Sequence, residues 1–335
     1  MKKSVAAMTV AAVIVAAGGV VYVSGAYDSW RDGRALDGAC KGLVSAAEAR
    51  KTLGMDRVSG KAIGRPSCRV YDPGDTNTEL AIMVRRGEDA AESIRTHPAV
   101  ILTTDREQAL VPVGNGWPAL VSSGTTTEPY ATAYLPCGKN ANDDLVLSMS
   151  VANANASADP QERRNGMAVM VTRALKQAAK DQGCALPGAK KVTAAPYVSV
   201  FGNLKKAGAA TGTCQGVNSA SYEAQPDPAA PVEQCFLAAS NGEPTFRIAS
   251  YYGPYTNAPR RNPFRSPDDY VGTSGTNEGK SWTTASCPTG TALYTLEPVD
   301  SRATAGAGER RALLSFAARS AERHGCGTPV QAISK

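Results

Sequence analysis

Two short stretches of this chain, Cys40-Lys-Gly-Leu-Val-Ser-Ala46 and Cys214-Gln-Gly-Val-Asn-Ser-Ala220, are versions of one motif. Four of the seven positions are identical, and Leu43 is replaced by the equally apolar Val217. Each copy begins a segment that ends on a second shared signature, Gly183-Cys184-Ala-Leu-Pro187 or Gly325-Cys326-Gly-Thr-Pro329. The sequence therefore predicts two diverged copies of one structural unit.

The length of the chain agrees with this duplication, because 335 residues accommodate about two domains of ordinary size. We expect residues 1–26 to form a membrane anchor or signal segment and residues 27–187 to form the first repeat. Residues 188–213 connect the copies, and residues 214–335 form the second repeat.

Eight cysteines follow the first thirty residues, four in each copy and in the same order. An even number of cysteines in an exported chain is typical of disulfides. Zinc is disfavoured because no Cys-x-x-Cys occurs and the chain has two histidines. We predict no metal and no cofactor. The repeat predicts the disulfides Cys40–Cys68, Cys137–Cys184, Cys214–Cys235 and Cys287–Cys326.

Local patterns in each copy predict strands in hairpins followed by a terminal helix. In the first copy, Cys68–Asp72 and Glu79–Val84 flank a Pro-Gly turn, which is a hairpin signal. Each copy ends in a segment whose apolar residues recur at helical spacing, such as Met167, Met170 and Val171 in the first copy. The predicted fold class is α+β, with an N-terminal transmembrane helix and two disulfide-stapled domains, each an antiparallel sheet with helices on one face.

The N-terminal segment has the charge pattern of an exported protein. Two lysines precede the uncharged run Val5–Val23, whose 19 residues are long enough to cross the hydrocarbon core. The lysines place the N-terminus in the cytoplasm and the remaining chain outside. We favour an uncleaved single-pass anchor in the cell membrane, because signal peptides have shorter apolar regions. The alternative is secretion after cleavage near Ala26.

A resemblance to a known family covers mainly residues 38–84. The pattern Cys40-x-x-Leu-x-Ser-Ala-x-Glu-Ala49, the predicted helix end at Gly54 and the predicted strand that begins at Cys68 resemble the core of an actinomycete cell-surface lipoprotein family of unknown function. This chain departs from that family because it lacks a lipid-attachment cysteine and carries a second copy. The resemblance implies an extracytoplasmic α+β domain and no particular chemistry.

No catalytic constellation emerges from the sequence. His97 precedes a proline in a predicted turn, and His324 falls in the last turn of the terminal helix, where structural or solvent-facing roles are expected. The net charge of +6 comes without a nucleic-acid-binding motif. We therefore predict neither catalytic residues nor nucleic acid as a partner.

One stretch of the second copy combines aromatic residues with arginines, as binding surfaces often do. We consider it a possible binding loop, with a buried apolar cluster beneath a long loop as the alternative. Its residues are Tyr251, Tyr252, Tyr255, Arg260, Arg261, Phe264, Arg265, Tyr270 and Trp282.

Taken together, these patterns favour a membrane-anchored extracytoplasmic protein with a non-enzymatic binding or structural role in the cell envelope. Its partner would be an envelope protein or a wall component. The alternative is an envelope hydrolase with an unrecognised active site, which would require a cleft with perturbed carboxylates.

Overall fold

A computed structural model of the chain describes residues 26–64, 66–75, 77–87, 89–90, 109–123, 128–138, 143–153, 159–192, 200–260, 266, 268–299 and 303–331. Within these ranges, no helix combines the length and the apolar composition that crossing a membrane requires. The predicted membrane segment Val5–Val23 lies outside them, as does His97. The fold is α+β, as predicted, with two antiparallel sheets.

The described residues of the first unit include a seven-stranded antiparallel sheet and the three helices named below. Its strands lie in the order β1-β2-β3-β7-β6-β5-β4. The helices are α1 (Ala26–Cys40), α2 (Ala46–Leu53) and α3 (Pro160–Gln182), and the strands are β1 (Ser59–Ala62), β2 (Cys68–Tyr71), β3 (Glu79–Arg86), β4 (Leu110–Pro112), β5 (Ala119–Ser122), β6 (Tyr130–Leu135) and β7 (Leu145–Ala152).

The second unit contains a six-stranded antiparallel sheet in the order β11-β12-β13-β10-β9-β8. Its strands are β8 (Ser221–Glu223), β9 (Val232–Ala238), β10 (Pro244–Tyr251), β11 (Ser274–Asn277), β12 (Lys280–Cys287) and β13 (Gly290–Pro298). Its helices are α4 (Asn257–Arg260) and α5 (Ala307–Arg323), with short 3₁₀ turns at Val200–Gly202 and Gly253–Thr256.

The two sheets have corresponding strand orders. In each sheet, the strand that carries the second cysteine (β2 or β9) pairs with its hairpin partner (β3 or β10). That partner pairs with the last strand before the terminal helix (β7 or β13), which in turn pairs with the strand that leads to the third cysteine (β6 or β12). Two chain segments that share this order share one topology, which is what a duplicated unit produces.

Four disulfides join Cys40 to Cys68, Cys137 to Cys184, Cys214 to Cys235 and Cys287 to Cys326. This is the pairing predicted from the repeat. The bridges close loops whose ends are 21 to 47 residues apart, for which the chain-entropy model gives roughly 3–4 kcal/mol each. In each unit, one bridge fastens the end of the terminal helix to the end of a sheet strand.

Helix α3 covers one face of the first sheet. Asp159 caps its N-terminus, Pro160 occupies its first turn, and Gly183 ends it in the left-handed conformation. The apolar stripe predicted from the sequence is buried against β5, β6 and β7. Helix α2 crosses α3 where a Cβ on Gly166 would lie 2.1 Å from Thr52 Oγ1, so glycine permits the close contact of the two helices.

Opposite its helix, each sheet is covered in part by the other: β4 to β7 of the first sheet pack against the second sheet, whereas Arg69 on β2 is exposed on that face. Side chains from both units form one buried cluster there: Leu110, Leu120, Tyr130, Tyr134, Val146, Val232, Ala249, Tyr251, Tyr255, Trp282 and Leu293 are among its members. All six residues of β6 are buried for this reason. Each sheet has its helix on one face, as predicted, and packs against the other sheet on the opposite face. The order of layers is therefore helix, sheet, sheet, helix.

A buried ion pair also lies on the inner face of the second sheet. Arg247 and Glu297 are opposite each other on β10 and β13, and Arg247 Nη2 is 2.6 Å from Glu297 Oε2. The Tyr270 hydroxyl donates a hydrogen bond to the same carboxylate. Buried charges are tolerated when they are paired in this way, so the pair fixes the register of these two strands.

Candidate binding cleft between the two units

A cavity of about 470 Å³ lies where the two units meet. This volume is in the range of small-molecule sites. Its walls come from both units and contain six prolines: Pro118, Pro136, Pro187, Pro228, Pro231 and Pro288. Because proline has a fixed φ and no backbone N–H, these walls are stiff and poor in hydrogen-bond donors.

The disulfides that hold the terminal helices flank this cleft. Pro136 precedes Cys137, and Ala185 follows Cys184, in the first unit; Cys287 and Pro288 line the cleft from the second unit. The duplicated strand-to-helix corners of the two units therefore meet at one place. Because two disulfides lie beside it, the cleft is largely preformed.

Tyr252 and His324 form an aromatic wall of the cleft. Their rings are stacked, with centroids 3.8 Å apart and planes inclined by 18°. His324 follows α5 at its C-terminal cap, and its side chain is only 8% exposed. The Tyr252 hydroxyl lies 2.6 Å from Ser320 Oγ, which holds the tyrosine ring in place.

Behind this wall, the carboxylate of Glu233 is completely buried. It accepts hydrogen bonds from Arg323 Nη2 at 2.8 Å and from Ser320 Oγ at 2.5 Å, and His324 Nε2 lies 3.8 Å away. Burial alone raises the pKa of Glu233, but His324 and Arg323 outweigh burial, so the pKa is lowered. The carboxylate is therefore a fixed anion whose lone pairs are already engaged.

Tyr134 forms part of the opposite wall. Its ring meets that of Tyr255 edge to face at 6.3 Å. It also lies over the backbone of Gly253, where an added Cβ would be 2.8 Å from the ring and φ is +55°, so only glycine fits this position. Burial raises the pKa of Tyr134, and the nearby Asp144 carboxylate raises it further.

Asp144 is the buried carboxyl group nearest to this wall of the cleft. Burial raises its pKa to about 6; the Tyr134 hydroxyl lowers the value and the charge of Asp143 raises it by smaller amounts. Asp144 is 5% exposed and is not among the residues that line the cleft. Tyr134 therefore separates this carboxyl group from any bound ligand.

The structure separates the residues of the predicted binding loop. Tyr251, Tyr255, Tyr270 and Trp282 are buried between the sheets, which agrees with the alternative of a buried apolar cluster and not with an exposed binding loop. Of the described members of the set, Tyr252 is the one that lines the cleft. Arg260 is exposed at the end of α4. The remaining residues, Arg261, Phe264 and Arg265, lie outside the described residues.

Sequence reasoning missed most of the cleft, although a signal was present. Prolines adjoin the third cysteine of each copy, as Pro136-Cys137 and Cys287-Pro288. Pro228 and Pro231 interrupt the region where the second copy loses the first copy's helix. Prolines at corresponding corners indicate rigid, exposed backbone, and the tertiary structure collects them into one wall. His324, expected to be structural or solvent-facing, is a buried wall residue.

The residues at the cleft favour ligand binding over catalysis. Ser320 is completely buried and donates to the Glu233 carboxylate, which is paired with Arg323 and has a lowered pKa, so Ser320 is not placed to attack a bound ligand. In the part of the chain that the structure describes, no three His, Cys, Asp or Glu side chains are grouped in a way that could hold a metal ion. The cleft offers flat apolar surfaces of prolyl and aromatic rings, because the Tyr134 hydroxyl and His324 Nε2 are buried. Comparisons with protein-family models, curated proteins and solved structures found no match for this chain.

Proposed function

We propose that this protein is a membrane-anchored, extracytoplasmic binding protein of the cell envelope, and that the cleft between its units holds the ligand. The observation that carries the proposal is the preformed cavity of about 470 Å³ with proline walls from both units. A rigid site loses little conformational entropy when a ligand binds.

The proposed location rests on the disulfides and on the N-terminal sequence. Four disulfides in one chain favour an oxidising compartment outside the cytoplasm. The apolar run Val5–Val23 serves as a single-pass anchor, with release after cleavage near Ala26 as the alternative. The resemblance of residues 38–84 to a cell-surface lipoprotein family also supports a location outside the cytoplasm.

The walls of the cleft define the kind of ligand. Prolyl rings and the stacked rings of Tyr252 and His324 offer flat apolar faces, whereas the Tyr134 hydroxyl and His324 Nε2 are buried away from the cleft. Glu233 is neutralised by Arg323, so the cleft has no uncompensated charge to attract an ion. The ligand is therefore an uncharged, largely apolar ring, presented by a component of the envelope.

The test is saturation-transfer NMR on the oxidised full-length chain with indole, p-cresol and N-acetylprolinamide as probes. We expect binding of at least one probe to the parent chain and its loss in Ala229→Trp, which fills part of the cleft. Ala207→Trp is the matched control, because Ala207 occupies an exposed turn of the same unit outside the cleft. Equal binding by both variants, or none by the parent, contradicts the proposal.

One observation favours a second candidate function, an envelope hydrolase. Asp144 has a pKa raised to about 6, which suits a general acid or base, and it is coupled to the cleft through Tyr134. This candidate is weaker because Asp144 is buried behind the wall. A chromogenic ester, glycoside or peptide turned over with a pH dependence centred near 6, and not turned over by Asp144→Asn, would favour it.

A further inference from the structure

Helix α1 presents an unusual outward stripe. Tyr27, Trp30, Arg31 and Arg34 occupy positions i, i+3, i+4 and i+7, which share one helix face. Tyr27 is 43% exposed and Trp30 is 56% exposed. Large aromatic side chains are seldom left this exposed unless they contact something. The other two tryptophans, Trp117 and Trp282, are each at most 5% exposed.

The side chains of this stripe already interact with one another. The rings of Tyr27 and Trp30 are 6.0 Å apart. The guanidinium groups of Arg34 and Arg31 lie over the Trp30 and Tyr27 rings at 5.0 and 5.9 Å, which is the geometry of cation–π contacts. The stripe is thus an aromatic and cationic surface with an ordered arrangement.

The opposite face of α1 fixes the helix to the first unit. Leu36 and Asp32 are buried, and the Asp32 carboxylate accepts a hydrogen bond from Val58 N and pairs with Arg57 and Arg50. The disulfide of Cys40 ties the end of the helix to β2. Because α1 is held at several points, its outward stripe has a fixed orientation relative to the sheet.

The sequence before α1 indicates what covers this stripe. Val23, the last residue of the apolar run, is only four positions before Tyr27. Even a fully extended chain, at about 3.5 Å per residue, keeps Tyr27 within about 14 Å of Val23, and the helical rise of about 1.5 Å per residue places Trp30 only about 4.5 Å further along α1. Headgroup layers extend about 5–8 Å beyond the hydrocarbon core. Helical side chains also tilt toward the N-terminus, which here is the membrane side.

We propose that the outward stripe of α1 lies in the headgroup layer of the outer leaflet and docks the first unit onto the membrane. Trp and Tyr favour this layer because their rings are apolar with one polar edge. The exposed Arg34 faces lipid phosphates, which bind guanidinium groups, whereas the Arg31 guanidinium is already paired with Asp28 at 2.8 Å. The inference rests on the membrane anchor of the proposed function. It adds that the first unit contacts the lipid surface directly and is not held away from it by a flexible linker.

The test uses the full-length chain in vesicles of phosphatidylcholine and phosphatidylglycerol, with and without lipids brominated near the headgroup end of the acyl chains. We expect bromine to quench about a third of the emission, the share of one tryptophan in three. We expect quenching to disappear in Trp30→Phe and to weaken when the bromine is moved to the chain ends. Trp282→Phe is the control and should leave quenching unchanged.

Alkaline extraction of the same vesicles separates failure of the inference from failure of the anchor. A chain that resists extraction while Trp30 is unquenched keeps the anchor and overturns the docking of α1. A chain that is released by alkali and shows no quenching overturns both. Quenching that survives in Trp30→Phe also overturns the inference, since the signal would then come from another tryptophan.

Discussion

The hydroxyl group of Thr132 on β6 lies 2.6 Å from the hydroxyl group of Tyr255, in the buried space between the two sheets. Thr132 Oγ1 also donates to the carbonyl oxygen of Leu147, so its single proton is used there. The Tyr255 hydroxyl must therefore be the donor in the bond to Thr132. This bond joins two chain segments that the repeat had suggested as separate units.

Replacing Tyr255 with Phe should lower the free energy of unfolding by about 1–2 kcal/mol, because Thr132 loses a buried hydrogen-bond donor. Urea unfolding followed by tryptophan fluorescence and by far-UV circular dichroism measures this change. Since the two sheets share a core, we expect both probes to report one transition at the same midpoint. Tyr27→Phe, at an exposed position, should leave the midpoint unchanged. Two separate transitions in the parent chain would contradict the shared core.

Gly166→Ala should destabilise the protein even though alanine favours helices. A Cβ at this position would lie 2.1 to 2.7 Å from atoms of Thr52, and overpacking of this kind costs about 1–3 kcal/mol. The matched control is Gly33→Ala in α1, where no atom lies within 4 Å of the added Cβ. That change should stabilise by up to about 1 kcal/mol. Thermal unfolding of both variants measures the difference, and equal effects would contradict the close crossing of α2 and α3.

Replacing Cys137 and Cys184 together with Ser should lower stability by about 2–5 kcal/mol and also weaken binding at the cleft. This disulfide fixes the corner that carries Pro136 and Ala185. Replacing Cys214 and Cys235, which do not line the cleft, should lower stability by a similar amount without weakening binding. Unfolding curves and the NMR titration measure the two effects. Equal weakening in both variants would argue against a preformed cleft.

Stability should fall as pH rises from about 4 to 6 because of Asp144. Its pKa is raised from 3.8 to about 6 in the folded protein, so over this interval the folded state keeps a proton that the unfolded chain has released. The free energy of unfolding then decreases with pH. Asp144→Asn should remove this decrease and stabilise the protein by about 1–2 kcal/mol above pH 6.

A companion variant identifies the source of that pH dependence. Asp143→Asn removes the neighbouring negative charge that raises the pKa of Asp144, so it should reduce the decrease without abolishing it. The pKa of Glu233 is lowered, so its contribution is constant above about pH 4.5 and is lost only as pH falls below that value, which leaves most of this interval to Asp144. Urea unfolding between pH 4 and 8 checks both variants. A decrease that persists in Asp144→Asn would assign the effect to another group.

Local features of the fold followed from the sequence because their causes are local. The stripe of Met167, Met170 and Val171 specified the buried face of α3, and Gly183 specified its end. The disulfide pairs followed from the order of cysteines in a duplicated unit, although their partners are up to 47 residues apart. Duplication supplied the long-range information that a single copy would have lacked.

The packing of sheet on sheet did not follow from the sequence, and the inner faces explain why. They carry Thr132, Ser148, Thr284 and Thr295 beside the tyrosines, and alternation of such residues with apolar ones is also the pattern of a strand with one face in water. For the same reason, the sequence left both a binding loop and a buried cluster open for Tyr251, Tyr255 and Trp282. Their burial depends on the other unit, which local periodicity does not describe.

By itself, the sequence determined the duplication, the disulfide pairing and the α+β class, because each of these is recorded in residue spacing and order. Only the tertiary structure decided that the two sheets share a core and that the proline-rich corners of both units enclose a cleft. Those features depend on contacts between residues far apart in the chain, such as Tyr134 with Gly253. Their energies come from the complementary shapes of two folded surfaces, which no single stretch of sequence specifies.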